Sequence, residues 1–239
     1  FYDDEGESRP APALKCLGIE QVEMVRQDMR SSYLKLDDKT GFKRFPVTDL
    51  VYLDGPYVYA QYAPEAEQRF KLIPPHNFGP PERCYYGRPP EWSGVVDRPG
   101  FVVHPYGQGK VVYVPWLPGQ LYRRQGHTNT FDFACDLLEG IAGIAPVGGN
   151  LSPMVEVTLL KSKQSGTQLL HLVNGSGHFG TTFYAPVPMH DVSVSIPCDA
   201  APASVRSLVT GEAVAFEFAD GTLSVTIPKL ELFEALQIT

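Results

Sequence analysis

The stretch Ala145-Pro146-Val147-Gly148-Gly149-Asn150-Leu151-Ser152-Pro153 limits what this chain can fold into more than any other. Two glycines, an asparagine and flanking prolines cannot continue a helix and suit a linker. Before it, helix and strand signals are mixed. After it, every pattern reads as a strand between turns. The sequence therefore predicts two domains: residues 1–147, of α/β class, and residues 148–239, a small antiparallel β-sandwich. With 239 residues in all, each part is long enough to bury its own core.

In the first part, residues 12–17 follow a proline-rich entry and predict a short helix. Brief runs rich in aromatic and branched residues predict strands at 33–36, 50–53, 57–62 and 70–73. Residues 101–103 and 110–114 flank Tyr106-Gly107-Gln108-Gly109, whose glycines can take the positive φ angles of a tight hairpin turn. One long helix is expected over 128–141. Phe131, Ala134, Cys135, Leu138 and Ile141 recur there at spacings of three and four and mark an apolar face.

The second part offers seven strands, at 155–160, 168–173, 191–196, 204–208, 213–218, 222–227 and 232–238, enough for a sandwich. Asp220-Gly221 signals a two-residue hairpin. In the strand that follows it, Leu223, Val225 and Ile227 alternate with Thr222, Ser224 and Thr226, the pattern of a half-buried strand.

Composition excludes several classes of function. The chain is 43% hydrophobic and 20% charged, so it can form packed cores. A net charge of −7 with scattered basic residues argues against binding nucleic acid, which needs clustered Lys and Arg. No apolar run reaches the roughly 18 residues of a membrane span, and the start has no signal-peptide layout. A soluble protein is expected, with the cytoplasm slightly favoured. The opening Phe1-Tyr2-Asp3-Asp4, without an initiator Met, reads as a cut from a longer polypeptide.

Chemistry-bearing motifs are sparse. Cys16, Cys84, Cys135 and Cys198 form no CxxC pair and imply neither zinc nor redox function. His171, His178 and His190 are too irregularly spaced for a metal site, and His171, in an apolar strand, reads as a satisfied core histidine. Asp3, Asp4 and Glu5 read as a solvated turn. His104-Pro105 is similar to the His-Pro of class I amidotransferases, but Tyr106 stands where those enzymes carry Glu, and no Cys sits on a strand-to-helix elbow. No catalytic, metal or cofactor site is therefore assigned. The segment 76–92 is different: Phe78, Tyr85, Tyr86 and Trp92 lie among prolines with Arg83. Those rings could stack on a sugar, bury against another subunit, or pack on their own domain.

Several short motifs together carry a resemblance. They are Leu72-Ile73-Pro74-Pro75, Phe78-Gly79-Pro80-Pro81-Glu82, the run from Tyr106-Gly107-Gln108-Gly109 to Val114-Pro115-Trp116, and Gly126-His127. Later in the chain come His171-Leu172-Val173-Asn174, Pro186-Val187-Pro188 and Ile227-Pro228-Lys229-Leu230 with Glu234. In these the chain resembles the C-terminal half of glycoside hydrolases that carry a beta-galactosidase trimerisation domain of glutamine-amidotransferase-like type. The resemblance implies a truncated flavodoxin-like domain followed by a β-sandwich, serving as a non-catalytic scaffolding and oligomerising region. It implies as partners the parent's own N-terminal catalytic barrel, further copies in a homo-oligomer, and carbohydrate. Hydrolysis needs two carboxylates about 5 to 10 Å apart, typically at barrel strand ends, and this chain has no βα repeat to build a barrel. A carbohydrate-binding module using the 76–92 loop is the alternative.

Overall fold

The computed structural model describes the chain except Phe1, Ser8 and residues 76–94 and 145–146. The chain divides into two compact units, Phe1–Ile144 and Ala145–Thr239. In the first, the strands are β1 (Ile19–Arg26), β2 (Ser32–Lys35), β3 (Leu50–Leu53), β4 (Tyr57–Tyr62), β5 (Glu67–Arg69), β6 (Lys71–Ile73), β7 (Phe101–Tyr106) and β8 (Gly109–Tyr113). They make three small sheets, ordered β1-β4, β3-β2-β6 and β5-β7-β8. Every pairing described in this unit is antiparallel. The unit is thus mixed α/β, but these strands do not form the parallel sheet of a flavodoxin-like domain. The physical reason is connection length: a parallel pair needs a crossover of a dozen or more residues, whereas β7 and β8 are joined by Gly107-Gln108 alone. Of the hairpin glycines only Gly107 takes a positive φ, 58°; Gly109 already opens β8.

The helix expected over 128–141 is present, its last turn widened to π-type, and a second helix, not expected from the sequence, precedes it. Helix α1 (Pro118–Gln125) begins with proline in its first turn and stops at Gly126, which is left-handed at φ 67° and donates its N–H to the Tyr122 carbonyl. Helix α2 (Thr128–Asp136) follows and closes on a π-type turn, Leu137–Ile141. Of the face that the sequence marks, Ile141 is buried while Phe131 and Leu138 are exposed; Thr130, Phe133 and Leu137, one position round, are buried in their place. Phe131 lies against Tyr122 of α1 instead, with ring centroids 5.4 Å apart and the planes tilted by 38°. The predicted helix at 12–17 shrinks to a single 3-10 turn, Lys15–Leu17, ended by left-handed Gly18.

What seats α2 is the loop 36–49 between β2 and β3. Its Phe42 and Phe45 enter a core shared with Phe70, Phe101, Trp116 and Phe133. The buried Arg69 guanidinium lies 5.4–5.8 Å from the ring centres of Phe42, Phe70 and Phe101, and donates to the carbonyls of Asp38 and Thr40. At the end of α2, Gly140 meets Gly41 backbone to backbone; a Cβ on Gly140 would sit 1.9 Å from the Gly41 carbonyl oxygen. Beside that contact Arg44 bridges the fully buried Asp136 at 2.6 Å and Glu139 at 2.6 Å, and its own N–H donates to Asp136 Oδ2. Asn129 ties α2 to the free edge of β3, accepting from the Tyr52 N–H and donating to the Leu50 carbonyl.

The second unit contains β9 (Gly148–Gly149), β10 (Val155–Lys161), β11 (Gln168–Asn174), β12 (His178–Phe179), β13 (Thr182–Phe183), β14 (Met189–Pro197), β15 (Val205–Ser207), β16 (Phe216–Ala219), β17 (Thr222–Leu230) and β18 (Phe233–Ile238). Two four-stranded sheets, β10-β11-β18-β15 and β16-β17-β14-β9, share one core. Leu170, Leu172, Leu236 and Ile238 face Val192, Val194, Ile196, Leu223, Val225 and Ile227 across it, as the alternation in β17 requires. Asp220 and Gly221 both take positive φ in the β16–β17 turn. Gly148 and Gly149, read as linker glycines, are strand β9: a Cβ on Gly149 would lie 2.1 Å from the Ser193 carbonyl oxygen. Their small size admits the approach to β14.

Two consequences can be measured by urea denaturation. Gly140→Ala should cost the first unit about 2–3 kcal/mol, because backbone rather than a movable side chain fills the space. Arg44→Ala should cost about 2–3 kcal/mol by leaving Asp136 buried without its cation. Arg44 also holds Glu139 below the usual carboxylate range. A depressed folded-state pKa adds stability that is present above the unfolded value near 4.5 and lost as pH falls through the folded one. Arg44→Ala should therefore lose less stability than the unaltered chain on acidification below that point.

Candidate interaction surface

Between β11 and β14 the chain leaves the sandwich as a short aromatic arm. Strands β12 and β13 pair antiparallel, His178 with Phe183 and Phe179 with Thr182, around a turn where Gly180 takes φ 61°. Phe179 is 78% exposed, Phe183 80% and Tyr184 66%. The His178 and Phe183 rings stack with centroids 4.9 Å apart. No Asp, Glu, Lys or Arg occurs from His178 to Pro188.

Exposed rings on a loose loop would be unremarkable, but the base of this arm is fixed. Asn174, at the end of β11 and 2% exposed, donates from Nδ2 to the carbonyls of Val187 and Glu231, both at 2.8 Å, and accepts from the Ser176 N–H. Ser176 Oγ accepts from the Val187 N–H at 2.9 Å, and the Tyr184 N–H donates to the Gly177 carbonyl. Gly177 has no room for a side chain, since a Cβ there would stand 2.2 Å from the Tyr184 carbonyl oxygen. Ordering costs are thus met within the unit before anything is bound.

Further apolar residues gather around the same end of β11. Val173 pairs with Phe233 on the outward face of the sheet, and both are exposed. The Asn174 N–H donates to the carbonyl of Leu232, and the Gly175 N–H to that of Met154; Leu232 and Met154 are exposed too. Among nearby charges Lys229 pairs with Glu231 and holds its carboxyl below the usual range, while the exposed Glu156, opposite Val173 on β10, has no ion pair among the described residues. The arrangement is suited to apolar contact rather than to acid–base or metal chemistry. Single exposed apolar side chains are ordinary, whereas a contiguous group marks an interaction site.

The residues singled out in the sequence fare differently. Phe78, Arg83, Tyr85, Tyr86 and Trp92, with Cys84, lie outside the described residues. His104 is buried on β7, where Nδ1 meets the Cys16 carbonyl oxygen at 2.9 Å and Nε2 faces Glu65 at 3.4 Å. Because a carbonyl can only accept, Nδ1 donates, and the ring holds main chain rather than a thiol. His171 is half-buried on the outer face of β11; Leu170 and Leu172 occupy the core positions, so it is not the core histidine expected. Asp3 accepts from the N–H groups of Glu5 and Glu7, forming the expected turn. Among the described residues no three His, Cys, Asp or Glu side chains converge on a common point, and no helix is long and apolar enough to cross a membrane. The arm itself went unread, although Phe179-Gly180-Thr181-Thr182-Phe183, a glycine-led turn between aromatics, is a hairpin signal.

Asn174→Ala should destabilise the second unit by about 2–3 kcal/mol, since it strands buried polar groups. It should also free the arm. Limited chymotrypsin digestion should then cut after Phe179, Phe183 or Tyr184 much faster than in the unaltered chain, and an unchanged cleavage rate would show that Asn174 does not hold the arm.

No family model matches this chain, and no curated protein matches it. Solved structures do. An α-L-fucosidase, isoenzyme 2 from Paenibacillus thiaminolyticus, aligns over 92% of this chain and 33% of its own, with TM-score 0.58 and 17% identity. A GH42 beta-galactosidase from G. stearothermophilus aligns over 94% of this chain and 24% of its own, with TM-score 0.46 and 12% identity. This chain spans about a third of the fucosidase and about a quarter of the galactosidase. What the chain shares with a third of that fucosidase is its fold.

Proposed function

We propose that this chain is a non-catalytic accessory region of a glycoside hydrolase, supporting and assembling a catalytic barrel carried elsewhere in the parent protein. The observation that carries the reading is the fold shared with part of an α-L-fucosidase over 92% of the chain, across both units. Its carboxylates give further support. Asp136, which ends α2, and Glu139, in the π-type turn that follows, are both engaged by Arg44, and an acid committed to a guanidinium is poorly placed to donate a proton. The neighbour's activity makes α-L-fucosides the first substrate class to test on the parent. An amidotransferase-like origin for the first unit rests on the resemblance of its motifs, since its described strands pair antiparallel.

Within this reading the loop 76–92 is a contact surface, with Phe78, Arg83, Tyr85, Tyr86 and Trp92 meeting either another protein surface or sugar. Calorimetric titration with mono- and oligosaccharides separates the two. Changing Tyr85, Tyr86 and Trp92 to Ala should weaken assembly of the parent by about 2 kcal/mol per ring lost, roughly thirtyfold each, if protein is the partner. Unchanged assembly and unchanged sugar binding would mean that the loop packs on its own domain. The accessory role has its own test. Aryl α-L-fucosides and aryl β-galactosides should remain unhydrolysed by the purified chain beyond the buffer rate. Turnover that survives repurification, and vanishes on changing one Asp or Glu, would overturn it.

A further inference from the structure

We propose that the second unit self-associates by reciprocal arm exchange, the aromatic arm of one copy lying on the Val173–Phe233 shelf of a second copy. The proposal rests on the assembling half of the role given above and supplies it with a surface. It is independent of which glycoside the parent cleaves.

Three observations identify the occupant as a second copy. First, the unit carries both halves of a contact around one end of β11. The arm offers projecting rings, Phe179, Phe183 and Tyr184, and the adjoining sheet offers an apolar seat, Val173, Leu232 and Phe233. A two-fold interface needs such a pairing, because residue i must meet residue j while j meets i. Second, the size fits. Those six side chains expose on the order of 700 Å², close to the roughly 800 Å² that each partner contributes to a stable interface. Third, the charge fits. Each copy carries a net charge of −7, so two copies repel unless the contact excludes charge. The arm has no Asp, Glu, Lys or Arg, and nearby Lys229 and Glu231 neutralise each other; the exposed charge left unpaired beside the shelf, among the described residues, is Glu156, opposite Val173, whose repulsion salt screens.

Sedimentation of the full chain tests this. The expected species has twice the mass of the 26.4 kDa chain, and its association strengthens with added salt as the repulsion is screened. Phe179→Lys with Phe183→Lys should raise the dimer dissociation constant at least about a hundredfold. Val173→Glu with Phe233→Glu should do the same from the other side. Mixing the two variants should restore a dimer, since one arm–shelf contact is then native and the other pairs Lys with Glu. Circular dichroism melting reports whether each variant is folded; should a charged variant melt early, Phe179→Ser with Phe183→Ser replaces it. A chain that stays at 26.4 kDa up to its solubility limit overturns the proposal. So does a dimer unaffected by both variants, a mixture that remains monomeric, or an arm whose loss abolishes sugar binding alone. Each of these outcomes leaves the accessory reading standing, because that reading falls only to hydrolysis by the chain itself.

Discussion

Two stretches of backbone meet at Gly41 and Gly140 with no room for a methyl group between them, and the first unit is arranged around that contact. The approach brings the Arg44 guanidinium against Asp136 and Glu139 and lets Phe42 and Phe45 into the aromatic core beside Phe133. Removing Asp136 from water is costly unless a cation and hydrogen bonds replace the solvent. Arg44 supplies both, through its side chain and its own N–H. A loop of the length of 36–49 would otherwise be an entropic burden. Lys39 braces it from within by donating to the carbonyls of Phe45 and Thr48.

The second unit follows a different logic. Its core is a continuous layer between two sheets, set by strand alternation, and needs no buried ion pair. Polar groups are concentrated where the chain leaves that layer. Asn174 joins three segments at the base of the arm, and Glu234 accepts from the Ser207 hydroxyl and the Ala235 N–H. Fixing the arm in advance lowers the conformational cost of any association through its rings. An exposed aromatic hairpin held in this way adds little to the core and carries a risk of aggregation when left open.

Together the two units match the fold of about a third of an α-L-fucosidase, and neither presents a converging set of metal-binding side chains among its described residues. His104 shows how a residue with catalytic associations can be structural. Its ring is pressed against Gly18, where a Cβ would meet it at 2.6 Å, and its Nδ1 holds the Cys16 carbonyl. That environment places a strand against the 3-10 turn and leaves no open approach for a substrate.

By itself, the sequence determined the sandwich and the hairpins. Alternation in β17, the Asp220-Gly221 turn and the β7–β8 turn are local signals, and local sterics decide them. It marked the helical stretch over 128–141, and it also carried the signal for α1, Pro118 ahead and Gly126 behind, where no helix was expected. The buried face of α2 could be decided only by the tertiary structure. Apolar residues lie on both sides of that helix, and what chose between them was Asp136 meeting Arg44, 92 residues earlier in the chain. Strand β1 was illegible for a related reason: it pairs on one side only, and its exposed and covered residues do not alternate, so its sequence has no two-residue period to read. Gly149 looked like a linker residue because a glycine that admits a neighbouring backbone and one that frees a chain are identical in sequence. Only the distance to Ser193 separates them.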